Sequence, residues 1–154
     1  MELSTFRTLV DPVIEAIAGR PLDQDLADQL NGSFPPESAL FQDIEKACHS
    51  AIEAGWMCHE GSDGRRLGRV IEAAGDSKFL SIDVVDLIDI VGPHHRHPKG
   101  EVCMIMPQTD TAVFDGNPAG WCVYPPESGH RPTVSNGRAL VLYLLPDGEI
   151  DFTG

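Results

Sequence analysis

The run Ala139-Leu140-Val141-Leu142-Tyr143-Leu144-Leu145 is apolar at odd and even positions alike. Side chains of an extended strand alternate between two faces, so a strand of this sequence must be covered on both sides. A sheet with one solvated face is thereby excluded. One face can line the inside of a barrel. The other needs N-terminal helices or a second subunit, and either would also dispose of exposed strand edges.

The chain before residue 56 supplies helices. Leu3, Phe6, Leu9, Val10, Val13, Ile14 and Ile17 recur at helical spacing over Leu3 to Ala18, with Gly19 as a stop and Pro12 predicting a break or kink near Asp11. Asp23 to Leu30 reads as a short second helix closed by Asn31-Gly32. Ser38 is a candidate N-cap for a third helix carrying Leu40, Phe41, Ile44, Ala47, Cys48, Ala51 and Ile52 and ending at Gly55.

From Trp56 onward, short apolar segments punctuated by Gly, Pro and Asp-Gly read as strands. They cover residues 56–59, 69–72, 79–91, 101–106, 112–114, 121–124, 131–134, 139–145 and 150–152. Residues 82–91 are read as one long strand with a bulge, and Asp83, Asp86 and Asp89 as a solvated acidic face, since no glycine-punctuated Asp-x-Asp-x-Asp calcium loop is present. The expected fold is mainly β, a sandwich or barrel preceded by α-helices. A length of 154 residues suits a single domain, residues 1–55 helical and 56–154 the barrel.

With 24 acidic against 11 basic residues, the net charge of −13 argues against nucleic acid or an anionic membrane surface as partner. No apolar run reaches bilayer length and no leader-like start is visible. Cys48, Cys58, Cys103 and Cys122 form no C-x-x-C pair and read as buried free thiols, so a cytoplasmic, reducing location is expected.

Chemistry concentrates in Gly92-Pro93-His94-His95-Arg96-His97-Pro98-Lys99-Gly100-Glu101. Glycine and proline make this a poor helix, and in an extended chain His95, His97 and Glu101 share parity and can enter one cavity. His130, in another turn-rich stretch, is a fourth candidate. Three histidines and a carboxylate suit a divalent transition metal, with iron, manganese, nickel and zinc all compatible. Parity sets His94 outside the site, lines the cavity with Cys103 and Ile105, and turns Met104 and Met106 away. Of Trp121 and Tyr124, candidates to stack on an aromatic ring, opposite parity admits only one. Arg65 and Arg66 follow a loop and read as solvated.

Two histidine-bearing motifs in a strand-rich C-terminal half resemble those of the cupin superfamily. More narrowly, Trp56-Met57-Cys58, Gly68-Arg69-Val70, residues 92–101, Gly120-Trp121-Cys122-Val123-Tyr124-Pro125-Pro126 and Leu144-Leu145-Pro146-Asp147-Gly148 resemble the small cupin-like family that includes 4-hydroxylaminobenzoate lyase. The resemblance implies a cupin-type double-stranded β-helix (jelly-roll) barrel, a homodimer, and a lyase releasing ammonia from 4-hydroxylaminobenzoate to leave 3,4-dihydroxybenzoate. It implies His95, His97, Glu101 and His130 as metal ligands and Glu101 as proton carrier. A small aromatic substrate would meet Tyr124, Trp121 and Cys103, with Arg69 clamping its carboxylate. An iron-dependent cupin dioxygenase and a non-catalytic small-molecule-binding cupin are the alternatives.

Overall fold

The computed structural model describes residues 2–153. Helices α1 (Leu3–Ile17), α2 (Gln24–Ser33) and α3 (Ala39–Ala54) come first. They are followed by β1 (Glu60–Ser62), β2 (Arg65–Ile71), β3 (Leu80–Val91), β4 (His95–His97), β5 (Glu101–Pro107), β6 (Val113–Phe114), β7 (Gly120–Tyr124), β8 (Ser128–His130), β9 (Thr133–Pro146) and β10 (Asp151–Phe152). The larger sheet has the order β1-β2-β3-β9-β5-β7, with β6 also on β9, and the smaller has β10-β4-β8. Their inner faces meet to form the jelly-roll barrel.

The two-faced run sits in β9 and resolves as its pattern demands. Leu140, Leu142 and Leu144 join an outer core with Phe6, Val10, Ile17, Leu30 and Phe41 of the helices. Ala139, Val141 and Tyr143 join an inner core with Leu87, Cys103, Ile105 and Phe114. Strand β5 divides in the same way, Met104 and Met106 outward and Cys103 and Ile105 inward. Helices therefore cover the outer face of β9, and that face needs no second subunit. Full burial of one such Phe or Ile side chain contributes about 1.5–3 kcal/mol.

Ser38 Oγ accepts a hydrogen bond from Phe41 N (3.3 Å), so that cap acts where the sequence places it, and Asp23 Oδ1 caps α2 by accepting from Leu26 N (3.0 Å). Helix α1, however, runs through Pro12. Pro12 lies on the exposed face, where water can serve the carbonyl its ring leaves unpaired, while the buried stripe continues from Val10 to Val13. Helix α2 also passes Asn31-Gly32 to end at Ser33. Asn31 docks its last turn on β7: Nδ2 donates to Trp121 O and Oδ1 accepts from Trp121 N, each at 2.9 Å.

Three strand readings change. Residues 56–59 form no strand, and Cys58 takes a left-handed backbone (φ 52°). Arg65 and Arg66 begin β2, Arg66 exposed as expected and Arg65 only partly so. Residues 131–134 and 139–145 belong largely to one strand, β9, whose irregular Asn136-Gly137 step carries positive φ at both residues. The bulge in β3 falls between Ile88 and Ile90, with Asp89 at φ 40°.

Of the acidic triplet only Asp89 is exposed. Asp83 pairs with Arg69, Asp86 pairs with Arg138 through two hydrogen bonds (2.8 and 2.9 Å), and Asp89 Oδ1 accepts from Gly137 N at 2.9 Å. Among the described residues, no helix is long and apolar enough to cross a membrane.

Substitution Asn31→Ala should remove both hydrogen bonds between α2 and β7 and cost about 1–3 kcal/mol, read from the urea unfolding midpoint. An unchanged midpoint would show that packing of Trp121 alone holds α2.

Candidate metal centre

Strand β4 projects His95 and His97 inward and sends Arg96 out to Asp151 (3.3 Å). Pairing of β4 with β8 sets His95 directly opposite His130. Their Nε2 atoms are 3.1 Å apart, and His97 Nε2 lies 3.0 Å from His130 Nε2.

Glu101 reaches the same point by a different route from the one parity suggests. Residues 95–101 are not one extended segment: Pro98-Lys99-Gly100 turns the chain from β4 in the smaller sheet to β5 in the larger, with Gly100 N donating to His97 O at 3.2 Å. Gly100 has φ 88°, and a Cβ there would lie 2.7 Å from Tyr124 O, so only glycine fits the turn. Glu101 Oε2 ends 3.1 Å from His97 Nε2, and Oε1 ends 3.6 Å from His130 Nε2. The ligand atoms of His95, His97, Glu101 and His130 all lie within 4.8 Å of one another. Donors about 2.0–2.2 Å from one ion stand at most about 4.4 Å apart, so small side-chain adjustments would close the set on a cation.

Burial sets the protonation states. His95 is pushed down to about 4 by desolvation, then by the charge of His130. His97 is pushed down to about 3 by desolvation, then by His95 and His130. Burial opposes a charge on His130 too, yet its hydrogen bond to Asp115, followed by Glu101, lifts it to about 9. Burial raises Glu101 above the usual carboxylate range despite the hydrogen bonds of His130 and Cys103. Without an ion, two imidazoles are thus neutral near pH 7 and His130 is the local cation.

These residues fit a divalent metal. Glu101 is fully buried, and its Oε2, like His97 Nδ1, has no hydrogen-bond partner. A buried carboxylate oxygen left unpaired among imidazole nitrogens is an arrangement that a cation would satisfy. The cluster can therefore hold a metal through imidazole and carboxylate donors.

A shell of partners fixes these side chains. Asp115 Oδ2 accepts from His130 Nδ1 at 2.7 Å and from the Tyr124 hydroxyl, while Oδ1 accepts from Thr133 N at 2.8 Å. Such an anchor aims Nε2 of His130 at the cluster. The Tyr124 ring stacks on His130 with centroids 4.2 Å apart, and Cys103 Sγ donates to Glu101 Oε1 at 2.9 Å. Phe152 packs edge-on against His95, centroids 5.6 Å apart. Asp115 escaped sequence reasoning because nothing in its spacing ties it to His130, and its position depends on β6 pairing with β9. An Asp-Gly turn between two strand candidates was the only local signal.

Two sequence-selected residues stand elsewhere. Trp121 lies opposite Met104 on the outward face, packs on Phe41 (6.1 Å) and donates from Nε1 to Phe34 O at 2.8 Å. Tyr124 is the inward member of that pair. Arg69 is committed to Asp83 (2.8 and 3.3 Å) and Gly148 O (3.2 Å), so its fork is not free to clamp a carboxylate. His94, as parity required, is outside the cluster and bonds Thr153.

A cavity of about 270 Å³ adjoins the cluster. His95 belongs to both, and Leu67, Val85, Tyr143, Ile150 and Phe152 make the cavity largely apolar.

The model of the family described as PnbB, 4-hydroxylaminobenzoate lyase, matches residues 8–152. A Nocardioides sp. (strain LMS-CY) protein named 4-hydroxylaminobenzoate lyase is 29% identical, covering 97% of this chain and 96% of its own. A Pseudomonas putida protein of the same name is 29% identical over 80% of each. Among solved structures, a Ralstonia eutropha protein of unknown function with a cupin-like fold is 14% identical, covers 56% of this chain and 57% of its own, and has a TM-score of 0.43.

The contribution of these three histidines to the stability of metal-free protein should peak near pH 6.5. The lowered values of His95 and His97 give stability that is present above the unfolded value near 6.5 and lost as pH falls through 4. The raised value of His130 gives stability that is present below 6.5 and lost as pH rises through 9. Thermal unfolding of chelator-treated protein should show both limbs, and Asp115→Asn should flatten the alkaline one. A Tm independent of pH from 5 to 9 would contradict these assignments.

Proposed function

We propose that this chain, which belongs to the 4-hydroxylaminobenzoate lyase family, is a metal-dependent lyase converting 4-hydroxylaminobenzoate to 3,4-dihydroxybenzoate and ammonia. The observation that carries the metal dependence is the buried cluster of three histidines and Glu101, one carboxylate oxygen of which has no partner. The cavity beside it, open to His95 and lined by apolar side chains, suits a benzene ring. The proposal includes a cytoplasmic location, supported by four cysteines that are all free.

The balanced reaction consumes one water: the N–O bond breaks, the ring gains oxygen, and hydrolysis of the resulting C–N bond frees ammonia. A divalent iron, manganese, nickel or zinc ion bound by His95, His97, Glu101 and His130 would supply Lewis acidity and lower the pKa of water. The protein's own groups do the rest. Glu101, its pKa raised by burial, is suited to carry a proton at Oε1 or Oε2, and both the departing hydroxide and the departing ammonia require one. Asp115 holds His130 in one ring orientation. Apolar walls exclude bulk water, so stray hydrolysis is limited.

Incubation of the purified protein with 4-hydroxylaminobenzoate under anaerobic conditions should release ammonia and dihydroxybenzoate in equal amounts. Substitution His97→Ala should lower that rate at least about 100-fold, since losing even a ligand's outer partner costs about 10–100-fold, with bound metal lost in parallel. Stoichiometric O₂ consumption, with no ammonia released in its absence, would instead support a dioxygenase.

A further inference from the structure

We propose that Arg65 binds the carboxylate of the aromatic substrate and so sets specificity for para-carboxylated rings. This rests on the lyase reading of the adjoining metal centre. The wall of the cavity built by β2 and β3 consists of three cross-strand pairs facing inward, Arg65 with Leu87, Leu67 with Val85, and Arg69 with Asp83. Their order along the strands gives each arginine a different fate. Arg69 stands opposite a carboxylate, is neutralised by it, and adds a bond to Gly148 O. Arg65 stands opposite Leu87, which offers nothing to a guanidinium.

Among the described residues Arg65 has no ion-pair or hydrogen-bond partner for its side chain, although its neighbour Arg66 is paired with Asp63 at 2.8 Å. It is only partly exposed. The other charged groups on the lining are Glu60 and the Arg69–Asp83 pair. Arg65 is thus the cation of this cavity that retains a free planar fork, the geometry that takes a carboxylate through two parallel hydrogen bonds. Between the two arginines the wall is Leu67 and Val85, a flat apolar surface for a ring. In a chain of net charge −13, such a local cation is what an anionic substrate requires.

The test uses the metal-loaded protein and two unreactive probes, 4-aminobenzoate and aniline, so that binding is read apart from turnover. Arg65→Gln should weaken 4-aminobenzoate roughly 10–100-fold, the worth of a charge-assisted hydrogen-bond pair, leaving aniline affinity, metal content and Tm unchanged. Arg65→Lys, which keeps the charge without the fork, should fall between. With 4-hydroxylaminobenzoate the loss should appear in KM more than in kcat. Wild-type binding of 4-aminobenzoate that depends on Arg65, with no ammonia released from the hydroxylamine, would fault the lyase reading and leave this one standing. Failure of the wild type to bind 4-aminobenzoate, equal affinity in Arg65→Gln, or equal losses for both probes would overturn it.

Discussion

Glu101 is a carboxylate with no exposure to water, surrounded by three imidazoles, and the barrel is built around making that burial tolerable. An isolated ionised carboxylate in so dry a place would take up a proton or unfold its surroundings. Here Cys103 donates to one oxygen, and His130, kept cationic by Asp115, stands near enough to offset the charge. The other oxygen is unpaired. The metal-free state is thus held by a proton on His130 in the region where a dication would bind. Metal binding and proton release are coupled as a consequence.

Holding these groups together depends on strands that are buried on both faces. Strand β9 and strand β5 each give alternate residues to the helical layer and to the barrel interior. This allows the outward half, Met104, Met106, Leu142 and Leu144, to pack on the helices while the inward half packs a second core and β5 carries Glu101 and Cys103 to the site. Asn31 and Trp121 tie the helical layer to β7, whose far end carries Tyr124 against His130. A site of unpaired polar atoms can persist because its scaffold is stabilised elsewhere.

Much of this was legible in the sequence. The two-parity run at 139–145 called for a layer on each side, and the ligand set was readable as residue types at short spacing. His95 and His97 followed from parity on β4. Glu101 reaches the cluster, but parity does not place it there: a glycine turn carries it into the other sheet. Pairing across the sheets was not legible, which is why Asp115 was missed and why the outward placement of Trp121 and the pairing of Arg69 with Asp83 were not foreseen. Arg69 and Arg65 are equivalent by sequence parity. Only the register of β2 on β3, which sets a carboxylate against one and a leucine against the other, distinguishes them.

Activity should depend on a metal held by the buried cluster. Elemental analysis of protein purified without added metal, followed by chelation and re-addition with ammonia release measured at each stage, tests it most directly. One divalent transition-metal ion per chain, loss of ammonia release on its removal and recovery when it is restored are the expected results. Full activity from protein free of metal would contradict that dependence.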